Sequence, residues 1–510
     1  MSDVVKRTWY ALSIADVLFL VLIAGIMPRA KNGMLDDPGL GWHLRNIDAM
    51  IAQGGWLSED PFSGPRRGAP WRTNQWIGDL VLRFGEAWGG KEGIAVVVTL
   101  VLAFTFRLLY GMLRVDGVPW PAAAGWTVWA ATATAMSWAA RPNVASLLFI
   151  MLVARACVGF HEGRYSQRRM LWLMPLMMLW ANTHGGFAAG LLTMVGAGVI
   201  ELGIALLTSN AETRQAARSR VLVWAYLFPG CVLATCLNPY GWTLYTWVFK
   251  LLGNSYFLSL HTEWFSPDFK APGGIRYELL MLAVPLLLAV SRRRPNLVEL
   301  GLSLLWLHYA LSSRRFVGLW VLVVVPMLAR LCLDVPVLRD WASRVSLSEG
   351  LRQLLAGSSS RPRPFLWSVA IGVGLLGWAR VTDDYAGHNP RKIPDRALGW
   401  LIEHRPGKTI LHDYNWGGYV TWLGWPETLN WIDDRTEVQG REHIEEYFSL
   451  ANAVPGSETI LDERGVEIVC FRPKTPLISR LLDHPDWEMI YEDDVAVILE
   501  RRISSEPAKP

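Results

Sequence analysis

The chain has 510 residues, of which 52% are apolar and only 18% charged, with a mean hydropathy of +0.22. A soluble chain of this length would carry nearer a quarter charged residues. Here the apolar residues fall in blocks of about 17–22, the length that crosses a hydrocarbon core of about 30 Å. A soluble enzyme, a disordered chain and a coiled coil are excluded, and the composition reads as a polytopic α-helical membrane protein.

The net charge of +4 conceals an asymmetry. Residues 381–510 hold 14 basic and 24 acidic side chains, against 35 and 21 in the residues before them. That division points to two modules, a basic membrane part (1–380) and an acidic soluble tail (381–510), and not to nucleic-acid binding. The five cysteines, Cys157, Cys231, Cys236, Cys332 and Cys470, have no paired metal-ligand spacing and suggest no disulfide framework.

Lys6 and Arg7 precede the first apolar run as they would in a signal sequence, but no A-x-A site follows, so an uncleaved first helix is predicted. Spans are predicted at 11–27, 94–112, 120–138, 145–160, 170–180, 187–207 and 221–237, then at 279–290, 297–311, 316–333 and 365–378. That makes about eleven transmembrane helices. The basic loops (Lys6/Arg7, Arg114, Arg164/Arg168/Arg169, Arg214/Arg218/Arg220, Arg292–Arg294 and the stretch 330–363) fall on one side when helices alternate, which predicts that side to be cytoplasmic. The agreement requires 75–88 to lie along the membrane surface, with Asp79, Arg83 and Glu86 on a shared polar face. The N-terminus is then cytoplasmic and the tail outside the cytoplasmic membrane.

A linker is predicted at 356–364. The tail reads as a small α/β domain, with strands at 409–412, 419–422, 429–432, 466–471 and 495–499 and helices at 397–404, 443–453 and 477–482. Gly417-Gly418 is read as a turn.

Sorting residues by side collects unusual polar groups on the outer face. The first outer loop, 28–92, contains Asp36-Asp37-Pro-Gly-Leu-Gly-Trp42-His43, then Asp60-Pro-Phe and Trp71-Arg72-Thr-Asn-Gln75-Trp76. Later outer turns carry Arg141-Pro-Asn143, Asn182-Thr-His184-Gly-Gly, Asn238-Pro-Tyr240-Gly, His261-Thr-Glu263-Trp264 and Ser312-Ser-Arg314-Arg315. Each has a bland alternative as a turn, a helix cap or an interfacial anchor. Together on one face they point to a site. A carboxylate can take a proton from a hydroxyl acceptor, guanidinium groups can neutralise a phosphate leaving group, and tryptophans with amides and imidazoles suit a sugar. A phosphate-activated sugar on a membrane lipid meets all three conditions.

At this point the chain resembles the bacterial GT-C glycosyltransferases, multi-pass enzymes that use polyprenyl-phosphate-linked sugars. More closely, it is similar to a branch with a first outer loop of the form D-P-D-L-W-W-H-L … D-P-F-S … W … Q-W. That branch continues with W-A-N-x-H-G-G-F, N-P-Y-G and E-W-x-S-P-D, and ends in an external domain with D-Y-x-W-G-G-Y and I-D-D/G-R. The last two read here as Asp413-Tyr-Asn-Trp416-Gly-Gly-Tyr419 and Ile432-Asp-Asp434-Arg435. The resemblance spans nearly the whole chain. It implies a first-loop acidic residue as catalytic base, which falls on Asp37 with Asp36 as competitor, and His43 as an orienting group. The charge argument, and not the resemblance, nominates Arg141, Arg314 and Arg315 for the lipid phosphate.

Two positions depart from the pattern: its second Asp is Gly39 here and its first Trp is Gly41. Only the adjacent Asp36 and Asp37 remain as a loop pair, and neighbouring side chains diverge, so a metal-independent inverting transfer is the expectation.

The candidate catalytic set is therefore Asp37, Asp36 and Glu263. Candidate substrate-binding residues are His43, Arg72, Gln75, Arg141, Asn143, Asn182, His184, Asn238, Trp264, Arg314 and Arg315, with no metal ligand and no cofactor assigned. The expected partners are a polyprenyl-phosphate-linked sugar donor, membrane lipids and a glycan, lipid or protein acceptor. The competing function is a catalytically silent relative that serves as a membrane subunit of an envelope or exopolysaccharide assembly. A transporter would require charged residues deep within spans, for which Arg107, Arg155 and Glu201 are the candidates.

Overall fold

The computed structural model describes residues 12–31, 33–271, 273–337, 340 and 365–502. The predicted linker 356–364 and the Lys6/Arg7 pair lie outside the described residues. Thirteen helices carry the argument through the apolar part. They are α1 (Ile14–Ile26), α2 (Leu40–Gln53), α3 (Trp76–Val115), α4 (Trp120–Ala133), α5 (Val144–His161), α6 (Leu173–Thr183) and α7 (Phe187–Leu207). There follow α8 (Ala211–Thr235), α9 (Thr243–Leu252), α10 (Gly274–Val290), α11 (Leu297–Ser312), α12 (Val317–Cys332) and α13 (Leu366–Val381).

Each predicted span falls on one of these helices. Among the described residues, α3, α5, α7 and Arg314–Cys332 are long and apolar enough to cross a membrane, and α11 and α13 are shorter apolar helices.

The charges inside the bundle are neutralised in pairs, as buried charges in an apolar medium must be. Arg107 meets Asp16 at 3.2 Å, Arg155 meets Asp116 at 2.5 Å, and Glu201 is held by His161 and Arg220, each at 2.7 Å. These pairings account for the three residues that a transporter reading singled out.

Two departures near the first loop bear on the site. The loop is not irregular throughout: α2 runs through it, ending at Gly54 in the left-handed conformation that glycine tolerates. The continuous hydrogen-bonded run of α3 breaks its helical dihedrals at Gly89 and Gly90, so the part before the break is a separate segment, as the surface-helix prediction requires. Its polar face, however, packs on α2. Arg83 meets Asp48 at 2.9 Å, Glu86 meets Arg45 at 2.7 Å, and Asp79 is fully buried. The 3.6-residue periodicity was legible, but the partner it faces was a helix with matching charges.

After α13 the chain builds α14 (Asp395–His404), β1 (Thr409–His412), α15 (Gly417–Gly424), β2 (Leu429–Asn430), α16 (Thr436–Gln439) and α17 (Arg441–Ala451). It ends with β3 (Ile468–Phe471), α18 (Pro476–Leu482), β4 (Trp487–Glu492) and β5 (Val497–Arg501). The sheet order is β2-β1-β3-β5-β4, parallel through β2-β1-β3 and antiparallel through β3-β5-β4. Alternation divides its side chains. Leu411, Val469 and Leu499 pack with Ile444, Tyr447 and Leu477 from α17 and α18, whereas Ile410, Ile468 and Ile498 join the core that continues into the helical bundle.

The predicted strand at 419–422 is a correction. These residues form α15, because a short apolar run has no periodicity of its own and here packs against α2. Gly417-Gly418 is correspondingly not a turn but the start of that helix. A Cβ on Gly41 would lie 1.6 Å from the Gly418 carbonyl oxygen, and one on Gly418 would lie 1.9 Å from that of Pro38. Two glycines let the backbones of α2 and α15 touch.

Candidate active site

The loop after α1 sends its two adjacent carboxylates in different directions. Asp36 Oδ1 accepts the backbone amide of Asn389 at 2.8 Å, and Lys392 Nζ lies 3.9 Å from Oδ2. Asp37 instead caps the turn into α2, its Oδ1 accepting the Gly39 amide at 2.9 Å. The same oxygen is 2.5 Å from Arg141 Nε. Arg141 sits in the turn before α5, and the Ala140 amide donates to the Met34 carbonyl at 2.8 Å, which fixes that turn beside the loop.

Arg141 is the centre of the site. Its Nη2 pairs with Asp434 of the tail, and its Nη1 is 3.7 Å from Glu263 Oε2. Asp434 also accepts the indole N–H of Trp42 at 2.8 Å. Glu263 pairs in turn with Arg315, whose guanidinium lies over the Trp264 ring at 4.9 Å from the centroid. The two turns bearing these groups are stitched together: the Ser313 hydroxyl donates to the Glu263 carbonyl at 3.0 Å, and the Arg314 amide donates to that of Phe265 at 2.8 Å. Arg314 itself is exposed. Its guanidinium contacts Thr262 Oγ1 at 3.5 Å and has no carboxylate partner among the described residues.

Burial and charge give Asp37 and Glu263 different characters. Burial pushes Asp37 up to about 6 against the pull of Arg141, and the neighbouring charges of Asp434 and Glu263 add to the rise. Burial works the same way on Glu263, but Arg315 and Arg141 more than offset it and hold that carboxyl down to about 2. Burial disfavours the charged form of Arg141, yet Asp37, Asp434 and Glu263 keep it firmly protonated. One carboxylate is thus tuned for proton exchange, while another is a permanent anion.

Three histidines border this cluster, and burial lowers all of them, so they stand neutral. His43 Nδ1 lies 2.6 Å from Asp79 Oδ1, while Asn46 donates to Asp79 Oδ2 at 2.7 Å. His184 Nδ1 accepts the Gly186 amide at 3.0 Å and the Ser146 hydroxyl at 2.8 Å, which leaves Nε2 as the protonated nitrogen. His261 Nε2 is 3.5 Å from Thr436 Oγ1 of the tail.

The structure thus brings Asp37, Arg141, Glu263, Trp264 and Arg315 together, with His43, His184 and Arg314 at the border. Asn143, next but one to Arg141, keeps a buried Oδ1 without a hydrogen-bond partner among the described residues.

Other candidates have local structural duties. Asn182 accepts the Trp76 indole at 2.8 Å and donates to the Met178 and Leu237 carbonyls. Asn238 ties its own turn through the Thr235 and Gly241 carbonyls and the Tyr240 amide. Arg72 donates to Thr243 Oγ1 at 2.8 Å, and Gln75 sits at the start of α3. Asp36 belongs to the contact with 388–392.

Asp434 and Trp42 were absent from the candidate set. Their signals were present, Trp42 beside His43 and Asp434 in the quoted Ile432-Asp-Asp434-Arg435. In that motif the structural and functional readings divide between neighbours. Asp433 and Arg435 form a buried lock with Asp60, which Arg435 meets at 2.8 Å and which stacks the guanidinium 4.4 Å from the Trp71 ring centroid. Asp434 faces the other way, onto Arg141.

Among the described residues, no three His, Cys, Asp or Glu side chains are grouped to hold a metal ion. The three carboxylates converge on a guanidinium. Gly39 is part of that geometry, since a Cβ there would lie 2.9 Å from Asp434 Oδ2 and 3.0 Å from both Arg141 Nη2 and Trp42 Nε1. An Asp at this position, where the loop pattern carries its second one, would have to displace the Asp434 carboxylate or the Arg141 guanidinium.

Helical bundle, first-loop helix and appended sheet together form a fold that solved structures share over nearly the whole chain. ArnT from Cupriavidus metallidurans bound to undecaprenyl phosphate aligns with a TM-score of 0.51 at 14% identity, covering 96% of this chain and 98% of its own. Its apo state gives 0.52 at 14%, covering 95% and 97%. The archaeal oligosaccharyltransferase AglB from Archaeoglobus fulgidus, in complex with an inhibitory peptide and a dolichol-phosphate, gives 0.52 at 12%, covering 90% of this chain and 69% of that one. No protein-family model and no curated protein sequence matches the chain.

Proposed function

We propose that this chain is an inverting, metal-independent glycosyltransferase of the cytoplasmic membrane. It moves a sugar from a polyprenyl-phosphate-linked donor to a lipid, glycan or protein acceptor on the outer side. Residues 1–380 form the membrane module and 381–510 an external α/β module, with the N-terminus in the cytoplasm. The observation that carries this reading is Asp37, a first-loop carboxylate pushed up to about 6 and held by Arg141, which also lies 3.7 Å from the Glu263 that pairs with Arg315.

The chemistry assigns one task to each group. Asp37 takes the proton of the acceptor hydroxyl, for which a pKa near the working pH is best suited. The acceptor oxygen bonds to the anomeric carbon, the bond from that carbon to the phosphate oxygen breaks, and the electron pair leaves on the lipid phosphate. Arg314 and Arg315 neutralise that phosphate. Arg141 is saturated by carboxylates, so its role here is to hold Asp37 and Asp434 in place, a change from the phosphate contact expected of it. Trp264 and the neutral His184 and His261 are placed to meet sugar hydroxyls and faces. Further support comes from the fold shared with ArnT and AglB, whose structures hold undecaprenyl phosphate and a dolichol-phosphate.

The test uses membranes that contain the full chain and a panel of labelled polyprenyl-phosphate sugars. Release of free polyprenyl phosphate, with the label on an acceptor in inverted anomeric configuration, is the expected result. Retained configuration would remove the single-base mechanism. Failure with every donor would favour the silent-subunit function.

A further inference from the structure

A large cavity lies away from this site, lined by residues from the other end of α3. It encloses about 1580 Å³ between α1, α3, α5 and α6. Small-molecule sites occupy roughly 300–1,000 Å³, so the space suits something larger. One wall is apolar, with Met112, Leu176 and Leu179, and Leu179 is exposed on the bundle surface. Trp172 stands at the rim, 73% exposed.

The polar end of the cavity is basic. Of its five arginines, Arg107 and Arg155 are neutralised by Asp16 and Asp116. The other three have no carboxylate partner among the described residues. Arg114 donates to the Val118 carbonyl, the Arg169 guanidinium lies 4.0 Å from the Tyr165 ring centroid, and Arg168 is exposed. Three cations without a carboxylate partner among the described residues thus border an apolar chamber. Free phosphate would satisfy the cations and leave the apolar wall unused, whereas an uncharged lipid would do the reverse.

We propose that this cavity binds an anionic phospholipid, its headgroup phosphate held by Arg114, Arg168 and Arg169 and its acyl chains lying along Met112, Leu176 and Leu179. Basic pockets between membrane helices on the cytoplasmic side hold anionic headgroups by the same combination of charge and apolar contact. Assignment of the lipid to the inner leaflet rests on the topology proposed above; the binding does not.

Native mass spectrometry of the delipidated full-length protein tests this, with phosphatidylglycerol, phosphatidylcholine and undecaprenyl phosphate as the titrated lipids. Phosphatidylglycerol should bind in preference to phosphatidylcholine. The combined variant Arg114→Gln, Arg168→Gln, Arg169→Gln should lose roughly a hundredfold in phosphatidylglycerol affinity, the sum of three near-surface cations. Arg292→Gln, Arg293→Gln, Arg294→Gln, which removes the same charge elsewhere, should stay within about threefold of wild type, since those cations lie outside the cavity. If the first variant does not fold, Arg168→Gln alone should cost about fivefold. Equal binding of the two phospholipids, or equal loss in both triple variants, would overturn the proposal. So would tighter, arginine-dependent binding of undecaprenyl phosphate, which would make the cavity a carrier site. Sugar transfer is not read in this experiment, so its failure is distinct from failure of the proposed activity.

Discussion

Arg141 and Asp434 lie 293 positions apart in the chain and form an ion pair in which Asp434 is almost fully buried. The contact makes the tail part of the site, because the same guanidinium holds Asp37 of the first loop. Asp434→Asn keeps the hydrogen-bonding shape towards Trp42 but removes one of the charges that surround Arg141. Loss of such a charged hydrogen bond costs about 1–3 kcal/mol, so thermal unfolding should fall by a few degrees and transfer by roughly tenfold. An unchanged Tm with unchanged transfer would show that the tail is independent of the site.

The pH response follows from Asp37 and Glu263. Transfer should rise as pH increases through about 6 and level off above it, because the base must be ionised. Stability has the opposite sign for this group. Its carboxyl is raised in the folded chain, so its contribution is most favourable below about pH 4, the unfolded value, and is lost as pH rises through about 6. Glu263 behaves conversely. Its stabilisation is present above about pH 4.5 and disappears as pH falls towards about 2. A rate profile through about pH 6 and an unfolding profile extended down to about pH 2 separate the two groups.

The glycines of the contact between α2 and α15 should tolerate no side chain. Gly41→Ala and Gly418→Ala each put a methyl group within 2 Å of a backbone carbonyl, and overpacking of this kind costs about 1–3 kcal/mol or more. Protease cleavage of the tail should accelerate in both variants. Gly39→Asp, which restores the GT-C loop pattern, should lower transfer and not raise it, since the new side chain displaces Asp434 from Arg141.

Arg314 should act on the leaving group. Arg314→Gln removes one of the two cations that neutralise the lipid phosphate as it gains charge on leaving, so kcat for transfer should fall about tenfold. A rise in KM with kcat unchanged would instead confine Arg314 to binding the donor.

Much of the site was legible because it depends on local patterns. The side assignment of the turns brought Asp37, Arg141, Glu263 and Arg315 to one face, and the structure joins them in one cluster. The divergence of Asp36 from Asp37 also follows from their adjacency. Asp434 was not separable in this way. Within Asp433-Asp434-Arg435 nothing local says which carboxylate locks the fold and which turns outward; that depends on Asp60 and Arg141, both distant in sequence. The same limit explains 419–422, where an apolar run suits a strand or a helix until its partner α2 is known, and Asn182 and Asn238, whose polar side chains serve nearby carbonyls.

The most direct measurement is sugar transfer from labelled polyprenyl-phosphate donors in membranes with matched amounts of wild type and Asp37→Asn. Loss of a general base removes about 10²–10⁴-fold in rate, and that loss, with the protein still folded, is the expected result. Transfer that survives within about threefold would contradict a base at Asp37 and move the role to Glu263 or Asp434.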